Sequence, residues 1–363
     1  MRLAFLSSSL GWGGLERNLQ RYAHWMQTAG HFVEVNAVPE SPLANSIAHA
    51  NFPLRLIARQ RRYFPLTASR ALKSYLLKNR FDALWIRDPR DLPLAALATR
   101  GIQCQLIFQQ GMQIPQPKKT PWHRMRFSAV DVWVSPLECL RQEALKNTPL
   151  RPNQIHVIPL ALENSWFEVP EPKADARASW NLPVTAKIIG LFGRIDPLKG
   201  QRDLLRALAE PEGKDWHAFI VGENTPDGSG PDHLKALKEF AKDLQVENRI
   251  HWRPQSDDLT AAYDCCDVYA MCSSSETFGM VTIEAMSRKV PVIGTRAGGT
   301  TELLDRGRVG KLYDSGDFKA LAMALNGIDT WPMPRQEDLE KFHRSHAIEQ
   351  WQDVLVDSRR SPL

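Results

Sequence analysis

The sequence predicts an α/β protein made of two Rossmann-like domains in tandem. Short apolar runs that read as buried strands recur along the chain with helical patterns between them, as in parallel, helix-covered sheets. That grammar breaks off once, at residues 163–186, and then starts again. A length of 363 residues also exceeds one ordinary core and suits two.

The elements follow in order. Leu3-Ala4-Phe5-Leu6 opens the first strand. Leu15, Leu19, Tyr22, Ala23 and Met26 then recur at helical spacing until Gly30, and Phe32 to Val35 alternates as a strand. FDALWI (81–86), QCQLIFQ (103–109), VDVWVS (130–135) and IHVIPL (155–160) extend the first sheet. The segment 163–186, with three prolines, mixed charge and little periodicity, reads as a linker or domain entry. KIIGLFG (187–193), WHAFIVG (216–222), RIHW (249–252), DVYAM (267–271), VPVIGT (290–295) and GKLY (310–313) form the second set of strands, with helices such as 232–244 between them. Residues 338–358 carry one long helical pattern with no strand after it, so that helix must pack on something already built. The expected division is therefore 1–164, with 338–363 packing back on it, and 165–337. Ligands of open α/β sheets bind beyond the carboxyl ends of the strands. Two such sheets facing each other would make a cleft lined by helix N-termini, a place for anions.

A charged fraction of 24% and a hydrophobic fraction of 43% are those of a soluble globular protein. No apolar run approaches the ~18 residues of a membrane span, and the first run is too short for a signal-peptide core, so a cytoplasmic location is expected. The five cysteines form no CxxC pair and no His/Cys metal spacing, so reduced thiols and no zinc site are expected. Charge is uneven: residues 1–165 hold 21 Lys+Arg against 10 Asp+Glu (+11), and the remainder 25 against 31 (−6). Residues 51–80 hold eight basic residues and no acidic one. They form either a solvated face or a surface for an anionic partner, possible at the inner face of a membrane because Tyr63 and Phe64 favour anionic lipid over nucleic acid.

Three stretches carry the chemistry. SSSLGWGGLER (7–17) follows the first strand where a dinucleotide fingerprint would lie, with Gly11-x-Gly13-x-x-Glu16 supplying two of the three glycines and Glu40 at the distance of a ribose-binding acid. Glu16 stands in the third glycine's place and would put a carboxylate where a pyrophosphate meets the helix N-terminus, which counts against a dinucleotide. GRIDPLKG (193–200) sets Arg194 and Lys199 on a glycine-bounded turn. Fixed cations there stabilise a leaving diphosphate most as its bond breaks, so two cations can replace a metal, and the chain has no D-x-D pair to hold magnesium. In SSSETFGMVTIEAM (273–286) Ser275 suits an N-cap and Gly279 admits close approach of a ligand to the backbone. Glu284 rises about 7.5 Å along the helix from Gly279 while Glu276 stays in the loop, so one carboxylate can grip each end of a bent ligand through vicinal hydroxyls.

These residues, in this order, resemble the retaining GT-B glycosyltransferases of family 4. The likeness rests on Gly13-Gly14, the G-R-x4-K-G of Gly193 to Gly200, the E-x7-E of Glu276 and Glu284, and the A-G-G-x-x-E of Ala297 to Glu302. GMVTIEAM and residues 118–137 are similar to bacterial enzymes that build lipopolysaccharide core or other cell-surface glycans. The resemblance implies a GT-B fold whose final helix crosses back to the first, acceptor-binding domain, and sugar transfer from a nucleotide-diphosphate sugar, a UDP-sugar first of all, to a glycan or glycolipid. It implies no metal or other cofactor. Arg194 and Lys199 would hold the donor diphosphate, Glu284 the ribose, and Glu276, Thr277, Phe278 and Gly279 the sugar, with Met280, Val281, Gly13 and Gly14 also at the donor and Arg253 beside the nucleobase. A front-face route lets the leaving phosphate help deprotonate the acceptor. The first-domain histidine that many members place near the donor sugar is here replaced by Gln109 and Gln110. Asp88 and Asp91, at a strand end, are either acceptor contacts or helix caps, and Gln110 and His123 are further acceptor candidates. An epimerase or hydrolase acting on the nucleotide-sugar, or a non-catalytic sugar-nucleotide-binding subunit, remain alternatives.

Overall fold

The computed structural model describes residues 1–59, 65–224, 232–256 and 258–360, the side chains of 357–360 excepted. It divides into two compact units. One holds Met1–Pro159 and the segment from Arg344 onward, the other Leu160–His343.

The first unit is built on a parallel sheet of seven strands: β1 (Arg2–Ser7), β2 (Phe32–Ala37), β3 (Leu54–Leu56), β4 (Ala83–Ile86), β5 (Gln105–Gln109), β6 (Val132–Ser135) and β7 (Ile155–Val157). Their order is β3-β2-β1-β4-β5-β6-β7. All of β4 and β6, and β1 after its first residue, are buried, as a sheet covered on both faces requires. Helix Gly14–Thr28 lays Leu19, Tyr22, Ala23 and Met26 on the sheet, the face its periodicity predicted. Trp85 of β4 stacks on Phe5 at 4.8 Å between ring centroids and meets Trp351 of helix Arg344–Arg360 at 3.9 Å.

The second unit repeats the plan with six parallel strands: β8 (Lys187–Phe192), β9 (Trp216–Val221), β10 (Ile250–Arg253), β11 (Val268–Met271), β12 (Val292–Thr295) and β13 (Lys311–Tyr313), ordered β10-β9-β8-β11-β12-β13. In each sheet the chain starts in the middle, winds outward, and returns to the other side of its first strand. Both sheets therefore have a switch point, at β1/β4 and at β8/β11, beyond whose carboxyl ends an open sheet takes ligands.

Four local readings change. Strand β3 was not expected; it is a three-residue edge strand, half-exposed and set among basic residues, so it carries no apolar run. The segment read as a linker holds helix Lys173–Ser179, pinned by a buried Arg177 whose Nη2 lies 2.8 Å from Asp267 and whose Nε donates to the Cys265 carbonyl. The long pattern 338–358 is two helices, Gln336–Glu340 and Arg344–Arg360, parted where Leu162 N–H donates to the Phe342 carbonyl and Leu162 bridges His343. Ser275 is not an N-cap, because helix Met280–Ser287 starts from Gly279.

The basic stretch 51–80 lies only partly within the described residues; Arg61, Arg62, Tyr63 and Phe64 fall outside them. Of its other basic residues, Arg55 covers the Tyr75 ring at 3.7 Å and donates to Asn36, and Lys73 donates to the Arg100 carbonyl. Arg70, Lys78 and Arg80 are exposed.

Candidate active site

In the second unit the two chemistry-bearing stretches meet at the β8/β11 switch point. After Phe192 the chain turns through Gly193, whose N–H donates to the Val221 carbonyl, into a short turn capped by Asp196, which accepts from Leu198 N–H at 2.8 Å. Gly200 closes that turn at φ 72°, and a Cβ there would stand 2.1 Å from the Cys272 carbonyl oxygen. Only glycine lets this loop pass so close to the one after β11. The loops are also stitched together by Ser274 N–H, which donates to the Leu198 carbonyl at 2.9 Å.

That contact brings Lys199 to Glu276: Nζ donates to Oε2 at 2.7 Å, with the two side chains 26% and 16% exposed. The loop after β12 secures Glu276 from behind, Gly299 N–H donating to its carbonyl at 3.0 Å. Three residues later Gly279, at φ 93°, starts helix Met280–Ser287, and the first-turn N–H groups of Met280 and Val281 have no preceding carbonyl to bond. Phe278 is buried and packs edge-on to Phe342, while Thr277 stays half-buried. Glu284 is held by the hydroxyl of Tyr263, which donates to Oε2 at 2.8 Å. Burial and the Glu284 charge push the Tyr263 hydroxyl well above its ordinary pKa, so it stays a donor.

Arg194 extends exposed from the same turn, and among the described residues its guanidinium is in no ion pair. Its backbone is fixed, the carbonyl accepting from the buried Gln201 at 2.8 Å. Arg253 is otherwise engaged. Its guanidinium donates to the carbonyls of Trp180, Asn181 and Trp252, which locks the turn after helix Lys173–Ser179 and uses four of its five N–H groups.

In the first unit the corresponding switch point is closed by hydrogen bonds. Gly13 N–H donates to Glu16 Oε2 at 2.9 Å, so the acid in place of a third glycine caps the helix on which it stands. Gly13 is half-buried and Gly14 exposed at the helix start. Asp91 is buried and accepts from both the N–H and the hydroxyl of Ser8. It opens helix Leu92–Thr99, its carbonyl accepting from Ala95 N–H at 3.0 Å, but its carboxylate caps none of that helix's N–H groups. Burial raises its pKa to about 7 despite the Ser8 bonds. Asp88, also buried, accepts from Arg90 N–H and Nε at 2.8 Å each. Both carboxylates are thus buried and bonded within these loops.

The residue between β4 and these acids was missed. Arg87 is 2% exposed, with Nε and Nη1 unbonded, and burial lowers its pKa to about 10. Its signal was an arginine at the inner end of a wholly apolar strand. Gln110 is buried, taking hydrogen bonds from Trp133 and Ser135 and giving one to the Met112 carbonyl. His123 sits half-buried on helix Pro121–Phe127, its Nδ1 2.9 Å from Thr120 Oγ1.

A switch-point site with a lysine–carboxylate pair, a bare helix turn and a second oriented carboxylate suits an anionic ligand bearing hydroxyls. Comparison with known proteins agrees. Residues 12–164 match the model of Glycosyltransferase Family 4, and residues 172–344 that of Glycosyl transferases group 1. The chain belongs to the family 4 glycosyltransferases of GT-B fold. Among solved structures, the chain is similar to a glycosyltransferase from Rickettsia africae (TM-score 0.86, 19% identity, 99% of each chain). It is also similar to Anabaena HepE, solved with UDP and glucose (TM-score 0.79, 20% identity, 98% of this chain and 99% of that one). Among curated proteins, D-inositol 3-phosphate glycosyltransferase of Corynebacterium urealyticum is 36% identical over 159 residues, 42% of this chain and 37% of that one. The chain spans less than half the length of such curated relatives.

Among its described residues no helix is long and apolar enough to cross a membrane, and no three His, Cys, Asp or Glu are grouped to hold a metal ion.

Proposed function

We propose that the protein transfers a sugar, with retention, from a UDP-sugar to a glycan or glycolipid in cell-surface polysaccharide or lipopolysaccharide synthesis. The observation that carries this is the Lys199–Glu276 pair beside the Tyr263-held Glu284, at the carboxyl ends of β8 and β11. HepE, alike in fold, was solved with UDP and glucose, and the lipopolysaccharide outer core galactosyltransferase WaaB is another structural neighbour (TM-score 0.75, 16% identity).

In this reading Glu284 accepts from the ribose diol. Lys199 and Arg194 meet the diphosphate, assisted by the N–H groups of Met280 and Val281, and the cations take the place of a metal ion. Glu276, with Thr277, Phe278 and Gly279, receives the sugar. The bond from the anomeric carbon to the β-phosphate oxygen breaks, and its electron pair leaves with the diphosphate. The acceptor oxygen attacks the same face, and its proton passes to the departing phosphate. Lys199 gains most as charge grows on that phosphate, which is transition-state rather than uniform binding. A peripheral site on an anionic membrane face, through exposed Arg70, Lys78 and Arg80, belongs to the same proposal.

The test is a thermal-shift screen against UDP-glucose, UDP-galactose, UDP-N-acetylglucosamine and GDP-mannose, followed by transfer assays with and without EDTA. A UDP-sugar that raises the melting temperature, and metal-free transfer lost in Glu284→Ala, support the proposal. Rapid conversion of the donor with no acceptor present would instead reveal an epimerase or hydrolase.

A further inference from the structure

A cavity of about 420 Å³ lies wholly within the first unit, at the carboxyl ends of β5 and β6 under helix Pro121–Phe127. Its floor and one wall are aromatic: Phe108, Trp122, Phe127 and Trp133 line it, with Phe108 and Trp133 stacked at 4.1 Å. Its charged lining is of one sign. Arg90, Lys118 and Arg126 contribute, and no Asp or Glu lines the cavity. Arg90 is compensated by Asp88 at 2.5 Å. Arg126 lies over the Trp122 ring at 5.3 Å, at the edge of the aromatic surface.

The pocket is built rather than collapsed around a gap. Its outer wall, the segment after β5, is pinned at three points. Gln110 N–H donates to the Val134 carbonyl at 2.7 Å, Ile114 N–H to Glu143 at 2.7 Å, and Lys118 N–H to the Asn147 carbonyl at 2.6 Å. The positive field inside is felt by His123, whose pKa is lowered first by burial and then by Arg126 and Lys118.

We propose that this pocket takes the acceptor, and that the acceptor carries a phosphate or carboxylate next to an apolar segment. The proposal rests on the transferase reading and deepens it. A neutral sugar is met by amides, carbonyls and carboxylates alike, whereas every Asp, Glu, Lys or Arg in this lining is a cation, which favours an anion. Lys118 and Arg126 hold the anion by charge-assisted hydrogen bonds, and the Trp122 and Phe127 rings cover the apolar part. The anion can belong to a lipid phosphate or to a phosphorylated sugar.

Calorimetric titration of the full chain separates these sources with three probes: octyl phosphate, glucose 6-phosphate, and uncharged octyl glucoside. At least one anionic probe is expected to bind more tightly than octyl glucoside, and to weaken by about tenfold or more in Lys118→Ala/Arg126→Ala. Octyl phosphate alone points to a lipid acceptor, and equal binding of glucose 6-phosphate to a phosphorylated sugar. In Trp122→Ala octyl phosphate weakens while glucose 6-phosphate changes less. Anion affinity unchanged in the double variant, or octyl glucoside equal to both anions, overturns the proposal. UDP is titrated into the same samples. If UDP fails to bind the wild type, the transferase reading falls, while the anion titrations still decide the pocket.

Discussion

Lys199 Nζ donates to Glu276 Oε2 at 2.7 Å across two loops that follow different strands, β8 and β11. Neither group is fully buried, so the bond adds little to folding and is available for exchange when a ligand arrives. A phosphate can take the lysine, and a sugar hydroxyl can then donate to the released carboxylate.

Replacing either partner should therefore cost activity far more than stability. Lys199→Ala and Glu276→Gln are expected to melt close to the wild type yet to lose at least about 1.5–3 kcal/mol of interaction with the bound donor. Steady-state kinetics and thermal melts, run on the same preparations, check this. Near-wild-type turnover in both variants would remove the pair from the mechanism.

Tyr263→Phe deletes the hydroxyl that holds Glu284. A net hydrogen bond is worth about 0.5–1.5 kcal/mol, so donor affinity should fall roughly two- to tenfold. Because the tyrosine acts through Glu284 rather than on the reacting atoms, the change should appear in KM with kcat preserved. A fall in kcat alone would contradict the positioning role.

Asp91 makes the first unit sensitive to pH in a definite direction. Its folded pKa of about 7 lies above the ordinary 3.8, so the folded state holds a proton that the unfolded state has released. The corresponding stability is complete below pH about 4 and is lost as pH rises through 7, by at most about 1.4 kcal/mol per pH unit. Asp91→Asn, which keeps an oxygen to accept from Ser8, should therefore lose less stability than the wild type between pH 5 and 7.5. Melting curves at the two values decide it; parallel shifts in both proteins would deny Asp91 this part.

Trp351 is wholly buried against Trp85, with Tyr22 at 6.0 Å. Trp351→Ala should destabilise the first unit by about 3–5 kcal/mol through the cavity it leaves. Hydrogen exchange is expected to quicken in β1, β4 and helix Gly14–Thr28 while the second unit keeps its protection. Uniform quickening across both units would mean that they unfold together.

Much of this was legible in the sequence because buried parallel strands announce themselves as apolar runs, and ALWI, QLIF and VYAM all lie where they were read. The meeting of GRIDPLKG with SSSETFG was legible for a similar reason: both follow such runs and both carry glycine where a backbone must come close. What escaped depends on contacts made far along the chain. Nothing local marks Tyr263 as the partner of a glutamate 21 residues on. Strand β3 exists because β2 offers it an edge, and the break before Arg344 exists because Leu162 pairs with His343. Asp88 and Asp91 drew attention as acids at a strand end, yet tertiary burial turned both inward and left the adjacent Arg87 among the buried groups with unmet hydrogen bonds.

The first unit is interrupted in the chain by the whole of the second, since its last helix begins at Arg344. A ribosome delivers residues in order, so nascent β1 to β7 must wait with the Trp85 and Tyr22 surfaces uncovered while some 180 further residues are made, whereas Leu160–His343 can close as soon as it emerges. The downstream unit is thereby free to mature first, and until the residues from Arg344 onward have been made the upstream one keeps that aromatic surface exposed.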